Sequence, residues 1–263
     1  MLELYTHPMS PCAQKVRLVL AEKGLEWQAH FVDLKNKANL QPEYLKLNPL
    51  GVVPTLVHDG RPVIESSLIC EYLDEVFPDT ALRPEEPYLR AQMRLWFKHV
   101  DNRLHPSCGA LQWPMVMREG LLALSEEEQN RIIDRVPEQP RRERQRRLLK
   151  LGLDAPDVVG AVAVYRRTIV DMEAALEDRP WLMGESFTLA DIALAPYFQT
   201  LHQFAWTDMY ADCPRVADWY QRCRERQSYE TAVSGDFASD VLASLHESGL
   251  RAWPKIQQHL GNT

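Results

Sequence analysis

Three prolines, Pro78, Pro84 and Pro87, fall within ten residues, and the chain reads differently on either side of them. Proline fixes φ and has no N–H to donate, so neither a helix interior nor a central strand can run through such a stretch. Before it, short apolar segments alternate with helical ones. Beyond it, the apolar residues fall at helical spacing only. Residues 1–80 therefore read as an α/β domain and residues 88–263 as an all-α domain, and 263 residues suffice for one or two domains.

In the first part, Leu2-Glu3-Leu4-Tyr5 reads as a strand and Thr6-His7-Pro8-Met9 as a loop. Ser10 suits an N-cap and Pro11 a first helical residue. Val16, Val19 and Leu20 follow at helical spacing, and Gly24 closes the helix. A helix N-terminus carries unpaired N–H groups and the positive end of a dipole, so a hydroxyl or thiol there helps to hold a thiolate. Capping alone also explains Ser10, and a buried helix thiol explains Cys12.

Farther on, Asn48 to Val57 is a turn and an apolar run interrupted by Pro54, which belongs at the first strand position and suits a cis bond. The backbone of Val53 before it can then pair with an extended peptide. His58-Asp59-Gly60-Arg61 is a hairpin turn leading to the strand Pro62-Val63-Ile64. Glu65-Ser66-Ser67 opens a helix over Leu68 to Phe77, with Ser66 or Ser67 as its cap. The N–H groups there suit a carboxylate, and Glu65 suits an ammonium. A ligand with a carboxylate, an ammonium, an extended backbone and a thiol engages all three places, and glutathione is such a ligand.

The chain resembles the cytosolic glutathione transferases on these residues: Ser10 to Arg17, Val52-Val53-Pro54-Thr55-Leu56, and Glu65-Ser66. The resemblance covers residues 1 to about 230. It implies a thioredoxin-like N-terminal domain, an all-α C-terminal domain, glutathione as co-substrate and a homodimer.

In the second part, Tyr88 to Leu111 reads as one long helix and Val158 to Leu176 as another, with Val162, Tyr165, Ile169 and Met172 inward. Thr188-Leu189-Ala190-Asp191 has capping-box spacing, with Asp in place of Glu, before a helix over Ile192 to Phe204 that contains Pro196. In the family that the chain resembles this capped helix is the core of the second domain, so the resemblance implies that Thr188 and Asp191 are structural and not catalytic. The tail carries Phe237, Val241, Leu242 and Leu245 at helical spacing, and Ala252 to Leu260 suggests a second helix.

Residues 125–156 form an insertion with an acidic opening, Val136-Pro137, and the run Arg141-Arg142-Glu143-Arg144-Gln145-Arg146-Arg147. Such a run reads first as a solvated helix face and second as a positive rim that attracts acidic substrates. The insertion is similar to that of the bacterial glutathione-dependent β-aryl etherases, as are Leu82 to Arg90, Met93-Arg94, Trp96 and Ile69 to Leu73. One departure stands out. That etherase type has Asn-Ser where this chain has Cys12-Ala13, and the turn is more similar to the zeta and omega classes. Ser10 falls on the zeta catalytic serine and on the omega catalytic cysteine.

The resemblance implies Ser10 as the group that hydrogen-bonds the glutathione thiolate, with Cys12 as the alternative. It places the peptide beside Val53 and Pro54, its γ-glutamyl end at Glu65 and Ser66, and its glycyl end near Asn39, Lys37 or Asn48. A hydrophobic aromatic electrophile would lie between the domains, with Met9, Trp96, His99, His105 and Trp113 as candidate walls. His99, His105 and His7 are candidate proton donors. Two other readings remain open: an omega-like thiol transferase using Cys12, and a noncatalytic interaction protein of the same fold.

The net charge of −7 argues against a general nucleic-acid binder. No apolar run approaches a membrane span, and the chain enters a strand without a basic segment or apolar leader, so a cytoplasmic protein is expected. Five scattered cysteines suit free thiols in a reducing compartment, and no His/Cys cluster has metal-ligand spacing.

Overall fold

The computed structural model describes residues 1–236 and 238–261. Phe237, assigned above to the tail helix, lies outside the described residues. Four strands, β1 (Leu2–Thr6), β2 (Gln28–Phe31), β3 (Thr55–His58) and β4 (Arg61–Val63), form one sheet in the order β2-β1-β3-β4. β1 runs parallel to β2 and antiparallel to β3, and β3 and β4 form the hairpin. Asp59 and Gly60 at its turn both have positive φ, as a two-residue hairpin turn matched to strand twist requires. Leu4 pairs with Leu56 in register, and both are fully buried.

Helix α1 (Pro11–Glu22) begins as its sequence implies: Ser10 is the N-cap, and its Oγ accepts from Ala13 N at 3.3 Å. It ends at Gly24, φ 61°, with Leu25 N donating to Leu20 O and Gly24 N to Ala21 O. This left-handed exit satisfies carbonyls that the helix leaves open. A short helix α2 (Pro42–Leu47) follows, and α3 (Ser66–Val76) begins two residues before the expected start. Neither serine is its cap. Glu65 holds that place with φ 69° and without a side-chain capping bond, while Ser66 and Ser67 lie buried in the first turn. Val53-Pro54 is cis, and Pro54 directly precedes β3.

The proline-bearing segment is fixed at both sides. Leu82 N donates to Asp74 Oδ1, and Leu82 O accepts from Leu189 N. The buried Lys23 ammonium lies 2.7 Å from the same carboxylate. Beyond it come α4 (Pro87–His99), α5 (His105–Val116), α6 (Arg118–Leu122), α7 (Glu126–Asp134), α8 (Gln139–Leu151), α9 (Pro156–Ala175), α10 (Leu189–Gln203), α11 (Pro214–Arg224), α12 (Gln227–Ala232) and α13 (Ser239–Leu260).

The long helix expected over residues 88–111 is interrupted. Val100–Leu104 form a π-turn between α4 and α5, closed by His105 N donating to Val100 O. Pro106 supplies the cause, because its nitrogen cannot donate and its ring needs room against the preceding turn. The tail is likewise corrected, since α13 is one helix rather than two. It is held where Gly249 meets α10: its carbonyl accepts from Trp206 Nε1 at 2.9 Å, and a Cβ on Gly249 would lie 1.9 Å from Phe204 O.

Buried Asp191 accepts from Thr188 N, Thr188 Oγ1, Leu182 N and Trp219 Nε1, so the capping box also ties α10 to α11. Val162, Tyr165, Ile169 and Met172 of α9 belong to the core that also contains Leu4, Val16 and Leu56. Among the described residues no helix is long and apolar enough to cross a membrane.

Candidate active site

Two adjoining cavities open where the sheet-bearing part meets α5 and α8. The larger cleft, about 530 Å³, is lined by Ser10, Asn39, Val53, His105, Trp113, Arg141 and Arg144, among others. The smaller pocket, about 170 Å³, is lined by Cys12, Val53, Pro54, Glu65, Ser66 and Asp101 together with His105. Val52, Val53, His105 and Glu138 line both, so the cavities share a wall.

The local sequence explains this convergence. The N-cap conformation of Ser10, φ −86° and ψ 112°, turns the chain from the loop into α1 and leaves the hydroxyl at the helix end. Its oxygen accepts from Ala13 N, so its proton remains available to donate. Two positions later, Cys12 Sγ lies 3.4 Å from His105 Nδ1 and 3.9 Å from Tyr197 OH. Burial pushes the Cys12 thiol up. The charges of His105 and Lys15 and hydrogen bonds from His105 and Ser66 outweigh that effect and bring it down to about 6.

Lys15 is fully buried, yet its Nζ finds Ser67 Oγ and Asp101 Oδ1, each at 3.4 Å. Burial opposes its charge, but Cys12 and Asp101 hold its ionisation above the ordinary lysine range. Asp101 also accepts from Ser67 Oγ at 2.9 Å. Asp101 and His105 sit four positions apart across the π-turn, which brings both to α1 and α3.

Not every candidate reaches these cavities. Trp96 and His99 lie in neither wall. They pack against each other on α4, and His99 Nε2 pairs with Thr168 Oγ1 at 2.7 Å, toward α9. Burial depresses the His99 imidazole, which suits a neutral structural residue. Met9 also lies outside both walls, and its N–H donates to His7 Nδ1. Asn48 is occupied in shaping the turn: its Nδ2 reaches Val52 O and Thr55 Oγ1, and its Oδ1 accepts from Leu50 N. Asn39 does line the cleft, with Nδ2 donating to Gly51 O and with a buried Oδ1 that has no hydrogen-bond partner among the described residues.

The arginine run is not one solvated face. Pro140, Arg141, Arg144, Gln145 and Leu148, at helical spacing on α8, line the cleft. Arg146 and Arg147 turn outward to Asp134 and Asp157, and Arg142 donates to Val136 O and Pro137 O.

Comparison with known proteins agrees with the fold. The model of the glutathione S-transferase N-terminal domain matches residues 9–76, and that of the C-terminal domain matches residues 134–222. Protein LigF of Sphingobium sp. is 32% identical over 94% of this chain and 98% of its own length. The chain belongs to the glutathione S-transferase family. A probable glutathione S-transferase of tobacco, parC, is 31% identical over 81% of this chain and 80% of its own length. The crystal structure of the β-etherase LigF superposes on this transferase fold with a TM-score of 0.78, at 29% identity, covering 88% of this chain and 98% of that one. Among the described residues, no group of His, Cys, Asp and Glu is arranged to hold a metal.

Proposed function

We propose that this chain is a glutathione transferase that directs the glutathione thiolate at a hydrophobic aromatic electrophile, with β-aryl ether cleavage as its reaction. The observation that carries this reading is the joint wall of the larger cleft. Ser10 at the α1 N-terminus and Val53 face Trp113 and His105 from the helical part. The similarity to the β-etherase LigF supports the choice of ether.

The residues fit the tripeptide group by group. Ser66 at the start of α3 suits the γ-glutamyl carboxylate, and Glu65, held at positive φ beside it, suits the ammonium. The Val53 backbone suits the extended peptide, and Asn39, whose unpartnered Oδ1 can accept from the glycyl N–H, suits the glycyl end. The sulfur then meets Ser10. The Ser10 hydroxyl donates to the thiolate, and the helix dipole lowers the thiol from its ordinary value of about 8.5.

The thiolate attacks the carbon bearing the ether oxygen, which is bonded to the carbonyl of the aryl ketone and is the β carbon of the side chain counted from the ring. A C–S bond forms, the C–O bond breaks, and its electron pair leaves on the phenoxide. His105, exposed on the shared wall, is placed to supply a proton to that oxygen. In this reading residues 1–80 hold glutathione, and residues 88–263 supply the second wall.

The test follows phenol release and the glutathione thioether from a fluorogenic β-aryl ether ketone. Glutathione-dependent release, lost in Ser10→Ala while glutathione still binds, is expected. Release without glutathione, or full activity in Ser10→Ala, refutes the reading.

A second reading is favoured by the Cys12–His105 contact. Cys12 would attack a glutathione mixed disulfide, expel the substrate thiolate, and be released by a second glutathione as the disulfide. A glutathionylated Cys12 in the intact mass, with disulfide exchange lost in Cys12→Ala, distinguishes it.

A further inference from the structure

The larger cleft contains more positive charge than conjugation of a neutral arene requires. Among the described residues, Arg141 Nη1, buried in its wall, has no hydrogen-bond partner, and the carboxylate oxygen it pairs with, Glu138 Oε2, stands 4.0 Å away. Arg144, one turn along α8, lines the same cleft and donates to Pro106 O at 3.3 Å. Burial, with the neighbouring charges of Arg141 and Arg135, depresses the Lys37 ammonium, as expected where cations are crowded together. Glu138 is the acidic residue in the cleft wall. Trp113 and Leu148, which line the same cleft, offer it an apolar face.

A half-buried guanidinium without a hydrogen-bonding carboxylate is poorly compensated, and its planar fork matches a carboxylate in two parallel bonds. From this geometry we infer that the second substrate carries a carboxylate, and that Arg141 and Arg144 bind it while Trp113 packs on its aromatic ring. Arg141 and Arg144 are thus specificity-determining residues, and the substrate class is an aromatic acid rather than a neutral arene. The inference rests on the larger cleft being the second-substrate site.

The test uses a nonreactive pair, 3,5-dinitrobenzoate and 3,5-dinitrobenzamide, so that it does not depend on turnover. Calorimetric titration of the full chain saturated with glutathione is expected to show the acid binding about tenfold or more tighter than the amide. The preference should weaken as salt is raised. In Arg141→Gln and Arg144→Gln the ratio should fall toward one, and Arg144→Lys should retain part of it. Equal binding of acid and amide by the unaltered protein overturns the inference, whether or not the protein conjugates anything. So does a pair of glutamine variants that weaken glutathione and leave the acid-to-amide ratio intact, because the guanidinium groups would then serve the glycyl carboxylate of the tripeptide. If the pair shows the preference and no ether is cleaved, the carboxylate site stands and only the etherase reading falls.

Discussion

Cys12 Sγ and His105 Nδ1 lie 3.4 Å apart although 93 positions separate them in the chain. The contact joins the start of α1 to the first residue of α5. Cys12 should therefore be the first of the five cysteines to react. Burial pushes Cys70 up to about 12 and raises Cys108, Cys213 and Cys223 as well. Alkylation by iodoacetamide, located by peptide mass, should fall on Cys12 with an inflection near pH 6. The same ionisation contributes to stability. Its folded value lies below the unfolded one, so the contribution is complete above about pH 9 and is lost as pH falls toward 6. An inflection at pH 8 to 9, that of an ordinary thiol of about 8.5, contradicts this account.

Lys15 supports that thiolate from within the core. In Lys15→Met the Cys12 inflection should move upward and alkylation at neutral pH should slow. Asp101 and Ser67 would keep their mutual bond. An unmoved inflection would assign the effect to His105 and Ser66, which His105→Ala and Ser66→Ala would then divide.

Asp191 accepts four hydrogen bonds inside the helical part. Removing its carboxylate leaves buried donors of Leu182, Thr188 and Trp219 without acceptors, each at about 1–3 kcal/mol. Asp191→Ala should lose at least about 3 kcal/mol in urea unfolding, if the chain still folds. A loss within about 0.5 kcal/mol, as for a surface substitution, would remove Asp191 from the structural account.

Gly249 tests the seat of the final helix. In Gly249→Ala the new methyl group meets the Phe204 carbonyl, so α13 must shift and the Trp206 indole bond must lengthen. A loss of about 1–3 kcal/mol is expected, read as a lower melting temperature and faster exchange of the Trp206 indole proton. An unchanged melting temperature would mean that the helix does not pack this closely.

Much of this arrangement is legible in the sequence where one local signal suffices. The Ser10 cap and the Gly24 exit need only neighbouring residues, as does the capping box from Thr188 to Asp191. The short hairpin turn is equally local, since Asp59-Gly60 accepts positive φ. Long-range placement was less legible. Trp96, His99 and His105 look alike as candidates on an assumed unbroken helix, and only His105 lies on the site side. Pro106 is the one local sign of the break. In the arginine run, helical spacing separates Arg141 and Arg144 from Arg146 and Arg147, but which face meets the cleft depends on how α8 packs on α5. The Cys12 environment was out of reach, because it depends on Lys15, Ser66 and His105 meeting in space.

The π-turn at Val100–Leu104 amounts to one extra residue wound into an otherwise continuous rod. A π-turn takes in one residue more than an α-turn, so the extra residue is absorbed locally and the helix beyond it keeps its phase. His105 and Trp113 thus face the cleft as they would on an unbroken helix one residue shorter. Among descendants of this gene, a one-codon deletion there would leave that wall facing the cleft and would fall on the stretch that carries Asp101 to Lys15 and Ser67.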